Sequence, residues 1–122
     1  MHAALLNGKP ATADDLRSLA VVNYGHYSSM QVRNGAVQGL ALHEQRLQAG
    51  TLELFSSTLD FPVLREQMRA AVADLQDCTL RATVFSRDFD FRNPAGVFAA
   101  DVLITLSAPV QASAREIGRA HV

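Results

Sequence analysis

Two Asn-Gly pairs, Asn7-Gly8 and Asn34-Gly35, limit most tightly how this chain folds. Glycine takes positive φ without strain and asparagine tolerates it, and a tight reversal between strands needs that backbone conformation. Ala3 to Leu6 reads as a short strand entering the first turn. Met30-Gln31-Val32-Arg33 and Ala36-Val37-Gln38-Gly39 flank the second, the pattern of a β-hairpin, with extended chain from Tyr24 onward.

A helical period follows. Between Leu40 and Phe55, the residues Leu40, His43, Leu47, Gly50, Thr51 and Leu54 fall on one stripe, with Gly50 its weak point. Asp60 is placed to cap a second helix with Pro62 in its first turn; Leu64, Met68, Ala71, Val72 and Leu75 form its buried face. Thr12-Ala13-Asp14-Asp15 is a helix-cap or turn signal leading to Leu16 and Leu19. Leu80 to Phe85 and Val102 to Leu106 are β-rich runs, separated by a polar stretch from Ser86 to Asn93 with Pro94 and Gly96 beyond it. One strand, a hairpin, two helices and two further strands predict an α+β domain, its two helices packed on one face of a mostly antiparallel sheet.

Composition removes several classes of function. A chain of 122 residues, 48% hydrophobic and 19% charged, supports one compact domain with one core. Its formal net charge of -1 builds no basic field for nucleic acid or an anionic membrane. No apolar run approaches a membrane span, and Met1 to Pro10 shows neither the charged nor the apolar region of a secretory signal, which points to the cytoplasm. The single cysteine, Cys78, opens an apolar run and reads as a buried, inert thiol. His26 has no partner at metal-ligand spacing, so no metal site is expected. Among eleven basic residues only Lys9 is a lysine. Any chemistry that needs a lysine amine must use Lys9 or find its lysine elsewhere.

Tyr24-Gly25, then Tyr27-Ser28-Ser29-Met30-Gln31-Val32-Arg33-Asn34-Gly35, then His43-Glu44-Gln45-Arg46-Leu47 resemble the class IV pyridoxal-phosphate aminotransferase family. That family includes branched-chain and D-amino acid aminotransferases and 4-amino-4-deoxychorismate lyase. Its pattern is a tyrosine-glycine pair, an aromatic-Glu-Thr-Ile-Arg-Val strand, an Asp/Asn-Gly turn, and a helix with His-x-x-Arg-Leu. The spacing from Gly35 to Arg46 matches without a gap. Leu80 to Arg87 resembles the family strand ending in Thr-Arg-Gly, and Val102 to Thr105 the strand before the interdomain loop. There are departures: Gly25 and Tyr27 stand closer than in the common pattern, Ser28 stands where Glu is usual, Gln31 where Arg is frequent, and Asp88 where Gly follows the strand arginine.

The resemblance implies the small N-terminal domain of such an enzyme over residues 1–109, with pyridoxal 5'-phosphate as cofactor. Arg46 would bind the cofactor phosphate, because a guanidinium offers permanently charged, bidentate hydrogen bonds to phosphate oxygens. His43, one helical turn earlier, would support that site. Arg87 would bind the carboxylate of an amino acid or 2-keto acid, and Tyr24 and Tyr27 would line the substrate pocket. Without the resemblance, Arg46 reads as a solvated surface cation, Arg87 as a loop cation pairing with Asp88 or Asp90, and the tyrosines as half-buried sheet residues.

No catalytic residue is expected in this chain. In the family the Schiff-base lysine belongs to a C-terminal domain that this sequence does not reach, and Lys9 reads as exposed beside the first turn. Residues 110–122 read as the start of a linker and a non-native tail, since Ile117 to Val122 match the translation of a common sequencing-adapter oligonucleotide. The expectation is thus a fragment of an aminotransferase, inactive alone, whose partners are the missing domain, a second copy in a homodimer, and the substrate, with neither nucleic acid nor membrane. Two alternatives stay open: a lyase acting on an aminodeoxychorismate-like substrate, and a stand-alone α+β binding or dimerisation domain without cofactor.

Overall fold

The computed structural model describes residues 3–110. Six strands form one sheet: β1 (Ala3–Leu6), β2 (Lys9–Pro10), β3 (Gly25–Arg33), β4 (Ala36–Val37), β5 (Cys78–Phe85) and β6 (Asp101–Ser107). Their order is β2-β1-β6-β5-β3-β4, and every neighbouring pair is antiparallel. Helices α1 (Ala13–Val22), α2 (Leu40–Phe55) and α3 (Phe61–Ala71) complete the α+β architecture expected from the sequence. Of the expected linker and tail, everything beyond Val110 lies outside the described residues.

Both Asn-Gly pairs are two-residue reversals. Asn7 and Gly8 have φ of 51° and 86°, Asn34 and Gly35 of 53° and 76°, so both central positions are left-handed, as strand twist demands. Leu6 therefore pairs with Lys9 across the first turn and Arg33 with Ala36 across the second. The second hairpin is shorter than its sequence suggests. β4 stops at Val37 because Gly39 turns left-handed at φ 67° and becomes the N-cap of α2.

Alternation along the strands sends side chains to two unlike faces. Met30, Val32, Cys78, Leu80, Ala82, Val84, Val102, Ile104 and Leu106 point to one face and pack against Leu47 and Phe55 of α2 and Leu64 and Met68 of α3. Asp60 caps α3 by accepting from the Val63 N–H at 3.2 Å, with Pro62 in the first turn. The helix ends at Ala71, so Leu75, expected on it, instead packs against the core from the following turn. The third helix was legible only as a cap. Thr12 and Asp15 form a reciprocal capping box, and α1 lies on the opposite face, where Leu16 and Leu19 cover Leu6, Phe85 and Leu103. Cys78 is buried, and desolvation, with Asp77 nearby, pushes its thiol pKa up, as an inert thiol requires.

Gly50 has a packing role. The His26 ring lies against α2 so closely that a Cβ at position 50 would meet its Nδ1 at 2.6 Å. Replacing a mid-helix glycine by alanine ordinarily stabilises by about 1 kcal/mol. Here we expect Gly50→Ala to destabilise by about 1–3 kcal/mol through overpacking. In a His26→Ala background the same change should become neutral or stabilising. Urea unfolding of the four members of this cycle reads the sign directly.

Candidate functional site

The seam between β3 and α2 holds two polar pairs within an otherwise apolar contact. Thr51 is fully buried and donates its hydroxyl hydrogen to the Leu47 carbonyl at 2.8 Å. Its oxygen is therefore the acceptor in the 3.1 Å contact with His26 Nε2, which fixes His26 as the Nε2–H tautomer. Burial lowers the His26 pKa.

The second pair lies farther along the seam. Ser28, 1% exposed, has its Oγ 2.6 Å from His43 Nδ1, and Arg46 Nη1 donates to the same oxygen at 3.3 Å. His43 and Arg46 are one turn apart on α2, so both side chains reach Ser28 from one helix face. Burial first, and then the Arg46 charge, depress the His43 pKa, against a raising influence from the Gln38 backbone. Arg46 is exposed and, among the described residues, pairs with no carboxylate. Glu44, its near neighbour on α2, is held instead by Arg65, which donates to its two oxygens at 2.6 and 2.8 Å. Alongside this cluster, β3 has β5 on one side but β4 on the other only at Val32 and Arg33.

The remaining residues singled out in the sequence lie elsewhere. Tyr24 belongs to an aromatic group at the end of α2, stacked on Phe89 at 4.3 Å and edge-on to Phe55 at 5.7 Å. Arg87 follows β5 and is held by carboxylates: its Nη2 donates to Asp101 at 3.1 Å, its backbone N–H to the same side chain at 2.8 Å, and its Nη1 approaches Asp15 at 3.4 Å. These are not the expected partners, Asp88 and Asp90. Desolvation opposes ionisation of Asp101, but hydrogen bonds from Arg87 and Asn7 outweigh it and hold the pKa low. Lys9 is exposed on β2, at the edge of the sheet opposite β3 and β4.

Tyr27 is 55% exposed on the sheet face away from α2 and α3. The Arg81 guanidinium lies over its ring, 4.2 Å from the centroid. Arg81 also borders a shallow pocket with Ser29, Thr79, Thr105 and Ser107, and no described carboxylate pairs with it. Sequence reasoning passed over Arg81, although strand alternation from Tyr27 and Ser29 across the β3–β5 register identifies it as their neighbour.

Three solved structures resemble this chain in fold. The chain superposes on 4-amino-4-deoxychorismate lyase from Pseudomonas aeruginosa with a TM-score of 0.69 at 24% identity, covering 92% of this chain and 42% of that one. For branched-chain amino acid aminotransferase from Escherichia coli the TM-score is 0.67 at 18% identity, covering 90% and 40%. For a hypothetical aminotransferase from Mycobacterium tuberculosis in its PLP-bound form it is 0.56 at 27% identity, covering 94% and 41%. The fold is that of the class IV aminotransferase N-terminal domain. No family model and no curated protein matches the sequence. The chain spans about two fifths of the length of these structures. No helix among the described residues is long and apolar enough to cross a membrane.

In this domain both seam histidines have pKa values below the ordinary 6.5. The unfolded chain therefore binds more protons than the folded one as pH falls below about 6.5, and stability drops through that window until the folded-state values are reached. We expect the urea midpoint to fall between pH 7.5 and 5.5, and His26→Gln to flatten that slope. A slope unchanged by the substitution would remove His26 from the linkage.

Proposed function

We propose that this chain is the N-terminal domain of a pyridoxal-phosphate enzyme that moves an amino group between an amino acid and a 2-keto acid. The observation that carries the reading is Arg46, a cation with no carboxylate partner among the described residues, hydrogen-bonded to Ser28 beside the open side of β3. A phosphate with nearly two negative charges fits a guanidinium whose only described partner is a neutral hydroxyl. Arg46 would hold the phosphate, and His43 would border it. When bound, the cofactor supplies the electron sink for the amino-group chemistry.

For the substrate carboxylate, Arg81 is better placed than Arg87. Arg87 is already engaged by Asp101 and Asp15, while Arg81 faces hydroxyls and the Tyr27 ring. Tyr27, not Tyr24, then forms the aromatic wall of the pocket. Lys9, at the far edge of the sheet, is unsuited to serve the Arg46 site, so the lysine that carries the cofactor would come from another domain. The homodimer, the cytoplasmic setting and the inactivity of this chain alone belong to the same proposal. A lyase would use this domain in the same way.

Titration of the chain with pyridoxal 5'-phosphate, followed through backbone amide NMR signals of α2, tests the phosphate site. Saturable shifts at His43 and Arg46 are expected, and Arg46→Ala should weaken binding about 10- to 100-fold, the loss of a hydrogen bond to a charged group. Equal binding by the variant would overturn the assignment. A 2-keto acid should shift Tyr27 and Arg81 rather than Arg87, whereas Arg87→Ala should cost about 1 kcal/mol of stability. With added cofactor the chain should not transaminate; turnover of an amino acid would refute the need for an outside lysine.

A further inference from the structure

The hydrogen count at Ser28 has one solution. Arginine only donates, so the Ser28 oxygen accepts from Arg46, and a serine hydroxyl carries a single hydrogen. That oxygen has room for a second donor, but Ser28 is buried and its hydroxyl meets no described side chain other than Arg46 and His43. An Nδ1–H on His43 would therefore leave the hydroxyl hydrogen without an acceptor. In neutral His43 the 2.6 Å Nδ1 contact is thus made by the Ser28 hydrogen. Neutral is the form its surroundings favour, since burial and the Arg46 charge both disfavour a second positive charge there. Ser28 thus donates to Nδ1 and accepts from Arg46 at once, which leaves the His43 proton on Nε2.

We infer that Ser28 is a positioning residue: its hydroxyl holds His43 as the Nε2–H tautomer and orients Arg46 without neutralising it, so that both side chains serve one anion. This rests on the phosphate reading of Arg46 and adds the residue that organises the site. A carboxylate at position 28 would accept from both groups equally well, but it would cancel the Arg46 charge and favour a protonated His43. A methyl would leave both groups without a partner. The site is also rigid by construction. Ser28 sits in the middle of β3, opposite Ala82 in the ladder, and both partners stand on α2, which is seated on that strand by Leu47 and Thr51. The Thr51–His26 pair in the same seam shows the contrasting case, in which the hydroxyl hydrogen goes to a backbone carbonyl and no cation is involved.

The test uses ring-nitrogen NMR of His43 in the whole chain, without ligand and then with inorganic phosphate. Above pH 7 the unliganded chain should show Nδ1 as an unprotonated acceptor and Nε2 as protonated. Ser28→Ala should lose this tautomer preference and weaken phosphate binding about fivefold, the value of one ordinary hydrogen bond. Ser28→Thr, which keeps the hydroxyl on a strand, should restore both. Ser28→Glu should raise the His43 pKa and weaken phosphate binding even though it refills the position with an acceptor. An unchanged tautomer or unchanged phosphate affinity in Ser28→Ala overturns the assignment; so does a Nδ1–H tautomer in the unaltered chain. Should the unaltered chain bind no phosphate, the shared-anion part of the inference falls together with the cofactor reading. The tautomer comparison still decides separately whether Ser28 orients His43. Circular dichroism melts of each variant separate these outcomes from loss of the fold.

Discussion

The contact of α2 with β3 governs where the other groups of the candidate site can lie. At Gly50 the helix has no side chain, and the His26 ring occupies the space a Cβ would need. That close approach brings Thr51 within hydrogen-bond reach of His26 and sets Leu47 and Phe55 into the core above β3 and β5. The same helix phase then delivers His43 and Arg46 to Ser28. Because the helix is rigid, a side chain that pushed the strand away at Gly50 would also loosen the Ser28 cluster, whose helix members Arg46 and His43 lie about one and two turns earlier. Packing at Gly50 and the Ser28–His43–Arg46 contacts farther along the seam thus depend on one helix-to-strand distance.

The two sheet faces divide the remaining work. One carries the aliphatic residues that α2 and α3 bury, and it supplies most of the hydrophobic stabilisation. The other is covered by α1 only near Leu6, Phe85 and Leu103; along Ser29, Thr79, Arg81, Thr105 and Ser107 it presents hydroxyls and a guanidinium. An exposed sheet surface of that kind does not drive non-specific association through apolar burial, in contrast to a bare hydrophobic face. It is suited to a polar ligand that is recognised by hydrogen bonds and charge, with Tyr27 as the flat apolar element.

Local rules made much of this visible in the sequence. Both hairpin turns were legible because Asn-Gly leaves few conformations, and α2 and the start of α3 because spacing and an Asp-Pro cap act over a few residues. Helix α1 was hidden for a physical reason: its apolar residues, Leu16 and Leu19, cover only the end of a sheet, so its stripe is too narrow to announce a buried face. The end of α3 was misplaced because Leu75 is apolar in a turn as well as in a helix. For the candidate site, the family-like spacing singled out Arg46 as a candidate, whereas the partners of Arg87 could not be read. Asp101 and Asp15 lie far from it in sequence and meet it only when β5, β6 and α1 have assembled.

Arg81 and Arg87 show why charge in a sequence does not by itself locate a binding group. Both belong to one stretch of chain, Arg81 within β5 and Arg87 two residues beyond its end. Arg87 meets a largely buried carboxylate that itself needs a partner, so its charge serves to keep Asp101 ionised inside the fold. Arg81 points to the opposite end of the same strand face, where the neighbours are neutral hydroxyls and an aromatic ring that attract a cation without cancelling it. Arg46 follows the same principle through Ser28. A guanidinium kept in place by neutral acceptors retains its full attraction for an anionic ligand, whereas one already paired must first break its ion pairs. That difference, set by tertiary neighbours, separates the cations suited to ligand binding from the one that holds the sheet end together.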